Sequence, residues 1–199
     1  MRFLQMKLTD SQVQRFYGIW FPLLRFVNKK RNVIAQAKLL KDSVDPADVA
    51  LVREVLWSDS RLLDDFIKSN PESLSAEDLS VVDSWRFRVS GEYFVLKHLK
   101  KHSIFISSRS SDADDDEPIV YAVVGIHSPL AELIDPLPSL IRTTLIPFEG
   151  KITYDSLFVS FPVRFGRNIA GSLNEDYQRV KKQGALIETL QGPSLKVVR

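Results

Sequence analysis

The stretch Leu145-Ile-Pro-Phe-Glu-Gly-Lys-Ile-Thr-Tyr-Asp-Ser-Leu-Phe158 decides the fold class. It reads as a strand, a tight turn at Glu149-Gly150 and a second strand. Pro147 cannot donate to a sheet ladder, so it marks a strand end or a bulge. A β-hairpin therefore stands in the second half of a chain whose first ninety residues read almost entirely as helix.

Upstream of the hairpin, Tyr93 to Leu99 and Ser103 to Ser107 are dense in aromatic and β-branched residues on either side of a Lys100-Lys101 turn. Ile119 to Ile126 is apolar without alternation, as expected of a strand buried on both faces. Ser128 to Ile134 is long enough for one or two helical turns, and Asp135-Pro-Leu-Pro138 is a stiff connector. Downstream, a helix from Asn168 carries Leu173, Tyr177 and Val180 at helical spacing and runs to Lys182 or beyond.

The first half is punctuated by capping signals. Thr9-Asp10-Ser11 offers side-chain oxygens ahead of Val13, Phe16, Tyr17 and Trp20, and Pro22 is expected to kink that helix or start another. Further apolar positions follow at Phe26, Val33, Ile34, Ala37 and Leu40. Asp45-Pro46 combines a cap with proline in the first turn. Ser58 or Ser60 opens a short helix that stops near Asn70-Pro71, and Ser75 to Asp78 has the form of a capping box. Helices first, then mostly antiparallel strands, then a closing helix make an α+β fold. The expected arrangement is an N-terminal helical layer packed on the sheet, with one unit over 1–199 and subregions 1–90 and 91–199.

Composition narrows the function classes. The 199 residues include 27 basic and 25 acidic side chains, a net charge of +2 that is too small to imply a polyanion partner. There is no cysteine, which excludes disulfides, thiolate zinc sites and cysteine nucleophiles together and fits a reducing cytoplasm. The longest apolar run, Phe16 to Val27, is interrupted by Pro22 and Arg25 and falls short of the ~20 residues that a bilayer demands. A cytoplasmic protein with no membrane partner is expected.

No motif with chemistry survives inspection. His98 and His102 would share a helix face, but they sit in a strand and turn beside two lysines, where exposed turn histidines are the expectation. His127 reads as a hydrogen-bonded structural residue. Asp112 to Glu117 places acids as a calcium loop does, yet it lacks the sixth-position glycine and the twelfth-position glutamate, so it reads as a solvated acidic loop. Glu149 and Asp155 straddle the hairpin and would form a carboxylate pair only in a suitable register. No catalytic residue, metal ligand or cofactor is assigned. Lys97, Lys100, Lys101, Lys181 and Lys182 are candidate contacts for an anion or nucleic acid, as are Arg164 and Arg167 ahead of the last helix.

Leu145, Pro147, Phe148, Gly150, Ile152, Tyr154, Asp155 and Leu157 resemble a hairpin in an uncharacterised family of bacterial proteins with a helical front half and a β-rich rear half. The resemblance covers about residues 90–158 and extends to the Tyr93–Ile106 strand pair and the Tyr121–Leu130 segment. Some members end in a cysteine-rich SecC-like zinc module, which this cysteine-free chain lacks. The resemblance implies no activity and no functional residue.

The leading expectation is a non-enzymatic protein-interaction or assembly domain with a protein partner or self-association. Trp20, Trp57 and Trp85 are candidate core or interface anchors. The first alternative is a nucleic-acid-binding accessory protein that uses the basic clusters. The second is a hydrolytic enzyme using Glu149, Asp155 or His127 near the sheet.

Overall fold

The computed structural model describes residues 7–39, 44–108 and 117–191. The acidic loop expected at Asp112–Glu117 lies, apart from Glu117, outside the described residues. The fold is α+β, with helices followed by a mostly antiparallel sheet and a C-terminal helix. The chain divides into two compact units, Ser11–Arg86 and the combination of Met1–Asp10 with Phe87–Arg199.

The helical unit follows its capping signals. Helix α1 (Asp10–Arg31) buries Phe16, Ile19, Trp20, Leu23, Leu24 and Val27 along one face. The second helix allowed for at Pro22 does not form, because α1 is continuous through the proline. The carbonyl that Pro22 leaves without a donor belongs to Gly18, an exposed residue where water can replace the lost bond. After α1, Asn32 turns the chain at φ 51°, and the Asn28 side chain brackets Ile34 by accepting from its N–H at 2.9 Å and donating to its carbonyl at 3.1 Å. Helix α2 (Pro46–Ser58) starts where the Asp45 carboxylate accepts from the Ala47 N–H, with Pro46 in its first turn. Helix α3 (Arg61–Ser69) ends at Asn70 in the left-handed region, and helix α4 (Ala76–Ser84) begins where Ser75 Oγ accepts from the Asp78 N–H at 3.1 Å. Trp20 meets Phe16, Trp57 and Trp85 at ring separations of 6.2, 5.8 and 5.6 Å. Trp20 and Trp85 are fully buried, so they are anchors of the core.

The second unit is a barrel. Strands β1 (Val89–His98), β2 (Ser103–Ser107), β3 (Val120–Val123), β4 (Ser139–Phe148) and β5 (Lys151–Ser160) close in the order β1-β2-β3-β5-β4. All pairings are antiparallel except β3 with β5, which are parallel and joined only at Val123↔Ile152. This connectivity is that of the OB-type five-stranded Greek-key barrel. Closure needs strong coiling, and register irregularities at Val95/Lys97 in β1 and Thr143/Leu145 in β4 supply it. Strand β1 is long enough to pair with β2 over Tyr93–His98 and with β4 over Val89–Val95, so it belongs to both sides of the barrel.

The β4–β5 hairpin turns at Glu149 and Gly150, with φ of 47° and 72°, the doubly left-handed turn that suits twisted strands. Tyr93 lies 6.0 Å from the Phe105 ring and 5.8 Å from the Tyr121 ring, so aromatics fill the barrel interior. Gly125 follows β3 where the chain folds back on itself; a Cβ there would stand 2.0 Å from the Ser128 carbonyl oxygen.

Candidate functional site

OB-type barrels commonly bind ligands on the face of strands 2 and 3. Here helix α5 (Arg167–Lys182) covers it. Leu173, Tyr177 and Val180 of α5 form one buried cluster with Leu96, Ile104, Ile106 and Val120, and Phe94, Leu99 and Leu186 pack around its margin. This cover explains why β3 is apolar at every position: its alternate residues face the barrel interior and the helix. The covered strand residues are mostly aliphatic and offer few ring faces for stacking bases.

The seven basic candidates lie on β1, in the β1–β2 turn, on α5 and in the connection ahead of α5. Lys97, on the outer face of β1, donates to Asn174 Oδ1 at 2.8 Å, and its ammonium stands 4.5 Å from the Tyr177 ring centroid. Partial burial lowers its pKa, and the nearby charge of Lys181 lowers it further. Lys100 and Lys101 are exposed in the β1–β2 turn, where the Leu99 N–H donates to the His102 carbonyl at 2.9 Å. Lys181 and Lys182 are exposed in the last turn of α5, where cations suit the helix dipole. Arg167 opens α5 and Arg164 precedes it, so about 20 Å of helix separates Arg167 from the lysines at the far end. Elsewhere, Lys30 pairs with Asp65 and Arg31 with Asp59, each at 2.5 Å.

His98 is half-buried, contrary to the exposed position expected for it. Its Nε2 lies 3.0 Å from the Ile134 carbonyl oxygen and its Nδ1 lies 2.7 Å from Ser103 Oγ. A carbonyl only accepts, so Nε2 carries a proton, and in the neutral ring Nδ1 accepts from the Ser103 hydroxyl. Ser103 is 1% exposed, which leaves no room for a substrate at this serine–histidine contact. With both nitrogens engaged, His98 ties the end of β1 to the segment after β3. Burial lowers the pKa of His102, Glu188 opposes that shift and Lys101 adds to it.

Glu149 and Asp155 do not form a carboxylate pair. Phe148↔Lys151 and Leu145↔Tyr154 put Glu149 in the turn and Asp155 well along β5. Asp155 is fully buried, while Glu149 and His127 are exposed. Thr143 Oγ1 lies 3.5 Å from Asp155 Oδ1 and donates to the Leu157 carbonyl at 2.7 Å. Burial, together with Tyr121 and Asp155, pushes the Tyr93 phenol far above its usual range, so it stays protonated and donates to the Val89 carbonyl at 2.8 Å.

A groove that sequence reading did not find lies between the β3–β4 and β5–α5 connections. Residues 133–139 and 160–165 enclose about 750 Å³. Leu133 and Val163 on its walls are 45% and 51% exposed, beside Phe161, Phe165 and three prolines. Phe165 is held by an edge contact with Phe94 at 5.2 Å. Pro136, Pro138 and Pro162 were the available signal, since they stiffen both walls, but nothing in the sequence brings the two connections together. No protein-family model, curated protein or solved structure matches this chain. Among the described residues, no helix is long and apolar enough to cross a membrane.

Proposed function

We propose that the chain is a non-enzymatic protein-interaction domain whose barrel unit takes an apolar segment of a partner in the groove between residues 133–139 and 160–165. The observation that carries this reading is the exposure of Leu133 and Val163 on walls stiffened by Pro136, Pro138 and Pro162. Exposed apolar side chains gathered in a preformed groove lower the ordering cost of binding. A fold alone assigns no function, so the OB-type connectivity adds no argument of its own. The test is a photo-crosslinking residue at position 163 in the full chain, with the same residue at position 182 as control. A discrete protein adduct specific to position 163 and lost in Leu133→Asp is expected. Equal labelling at both positions, or an adduct indifferent to Leu133→Asp, overturns the reading.

A second reading, nucleic-acid binding, is favoured by the proximity of Lys97 and Lys181, two cations from distant parts of the sequence. Lys100, Lys101 and Lys182 would extend that patch, whereas Arg164 and Arg167 would serve a separate anion contact. Fluorescence anisotropy with a single-stranded oligonucleotide at low salt tests it. Binding that weakens steeply with added salt and with Lys181→Glu supports it. No binding at low salt removes it.

A further inference from the structure

We propose that the edge of β3 over Val120–Ala122 is an acceptor site for an extended peptide strand of a protein partner, held in this structure by the chain's own segment 185–190. The inference rests on the interaction-domain reading but uses a different surface.

One edge of β3 pairs with β2 over four residues. On the other edge, β5 supplies only the Val123↔Ile152 pair and the bond from the Val124 N–H to the Ile152 carbonyl at 2.9 Å. The preceding backbone groups on that edge are satisfied by Ile187, in parallel orientation. Its N–H donates to the Val120 carbonyl and its carbonyl accepts from the Ala122 N–H, both at 2.9 Å. Left bare, these edge groups would lack backbone partners, so the edge is a template for any strand that can pair with it.

The segment reaches the edge through a turn at the end of α5. Gly184, at φ 67°, donates to the Lys181 carbonyl at 3.2 Å, and the Ala185 N–H donates to the Val180 carbonyl at 3.0 Å. Leu186 then packs against the cluster under α5, and Leu190 is 3% exposed. Glu188, between them, acts on His102 beside Lys101 in the β1–β2 turn.

The bound segment therefore displays the chemistry that the edge recognises. A ligand needs an extended backbone, a β-branched residue whose N–H and C=O both pair, and an acidic residue just after it. It also needs apolar anchors four residues apart. Backbone pairing gives affinity in this mode and the side chains give specificity. The resident segment is held by a one-residue bridge, whereas the β1–β2 pairing spans five residue pairs, so of the two it is the more readily exchanged.

The probe is a fluorescently labelled peptide of residues 185–191, read by anisotropy against the full chain and its Ile187→Pro variant. Proline removes the N–H that bonds Val120, which should vacate the edge. Saturable binding to the variant, at least tenfold tighter than to the unaltered chain and absent for a peptide carrying the same proline, is expected. A folded variant that does not bind overturns the proposal. Should the variant not fold, hydrogen exchange on the unaltered chain decides. Ala122 and Ile187 amides exchanging at least tenfold faster than those of the β1–β2 ladder support the proposal, and equal rates overturn it. Dimers of the unaltered chain that vanish in Ile187→Pro would overturn the partner assignment in favour of exchange between copies. Leu133→Asp should leave peptide binding unchanged, so a failure here is distinct from a failure of the groove reading.

Discussion

The two units solve the same burial problem by different means. In the helical unit, α2, α3 and α4 are delimited by residues next to their ends: Asp45 caps α2, Ser75 caps α4 and Asn70 stops α3. In the barrel unit, strand boundaries depend on partners far away in sequence. β1 must meet both β2 and β4, and β3 is finished by Ile152 and Ile187. Local chemistry defines the first unit and long-range pairing defines the second. A substitution should therefore act through helix propensity or capping in one and through steric fit in the other.

Glycine offers the largest contrast. Gly125→Ala should destabilise the barrel by about 3 kcal/mol, because the new Cβ meets a backbone oxygen that cannot move aside. In α1, Gly18 has nothing within 4 Å of a built Cβ, so Gly18→Ala should stabilise by ~0.8 kcal/mol. Urea denaturation of both variants checks the pair, and a similar small effect at both positions would break the comparison.

Nearly as large is the effect of uncovering the outer face. Tyr177 is 4% exposed in the cluster under α5, and Tyr177→Ala should cost about 3 kcal/mol. The same change removes the ring beside Lys97. Denaturation measures the cost; a loss below ~1 kcal/mol would mean that α5 contributes little to the barrel.

Capping effects are smaller and confined to the helical unit. Ser75→Ala should cost about 1 kcal/mol by leaving the Asp78 N–H without its acceptor. A thermal melt followed by far-ultraviolet circular dichroism reads it.

The smallest effect is expected from acid. The hydrogen bond from Arg61, with further help from Arg31, lowers the Asp59 pKa from 3.8 to about 2. Its folded value lies below its unfolded one, so this stabilisation is complete above pH 3.8 and fades as pH falls towards 2. Asp59→Asn should flatten that part of the stability profile, and an unchanged slope between pH 4 and 2 would show that the ion pair adds nothing here.

Much of this architecture is legible in residue order. The caps, the β4–β5 hairpin and the apolar stripe Leu173, Tyr177, Val180 can all be read because each depends on neighbours within a turn or two. Pro22 does not start a second helix, because proline's local cost is set against burial along α1, which only the folded unit supplies. His98 misleads because its two partners, Ser103 and Ile134, are fixed by pairing and by a loop return. Of the seven basic candidates, spacing could group Lys97 with Lys100 and Lys101, but only the seating of α5 on β1 brings Lys181 near Lys97.

Residue order is enough for the α+β class, the helix boundaries set by caps, and the absence of any cysteine chemistry. Tertiary structure alone decided barrel closure, the covering of the β1–β2–β3 face, the groove between two connections and the mending of the β3 edge by Ile187. The physical reason is range: a cap or a turn is a contract among adjacent residues, whereas a closed sheet satisfies each backbone group with one that local sequence cannot name.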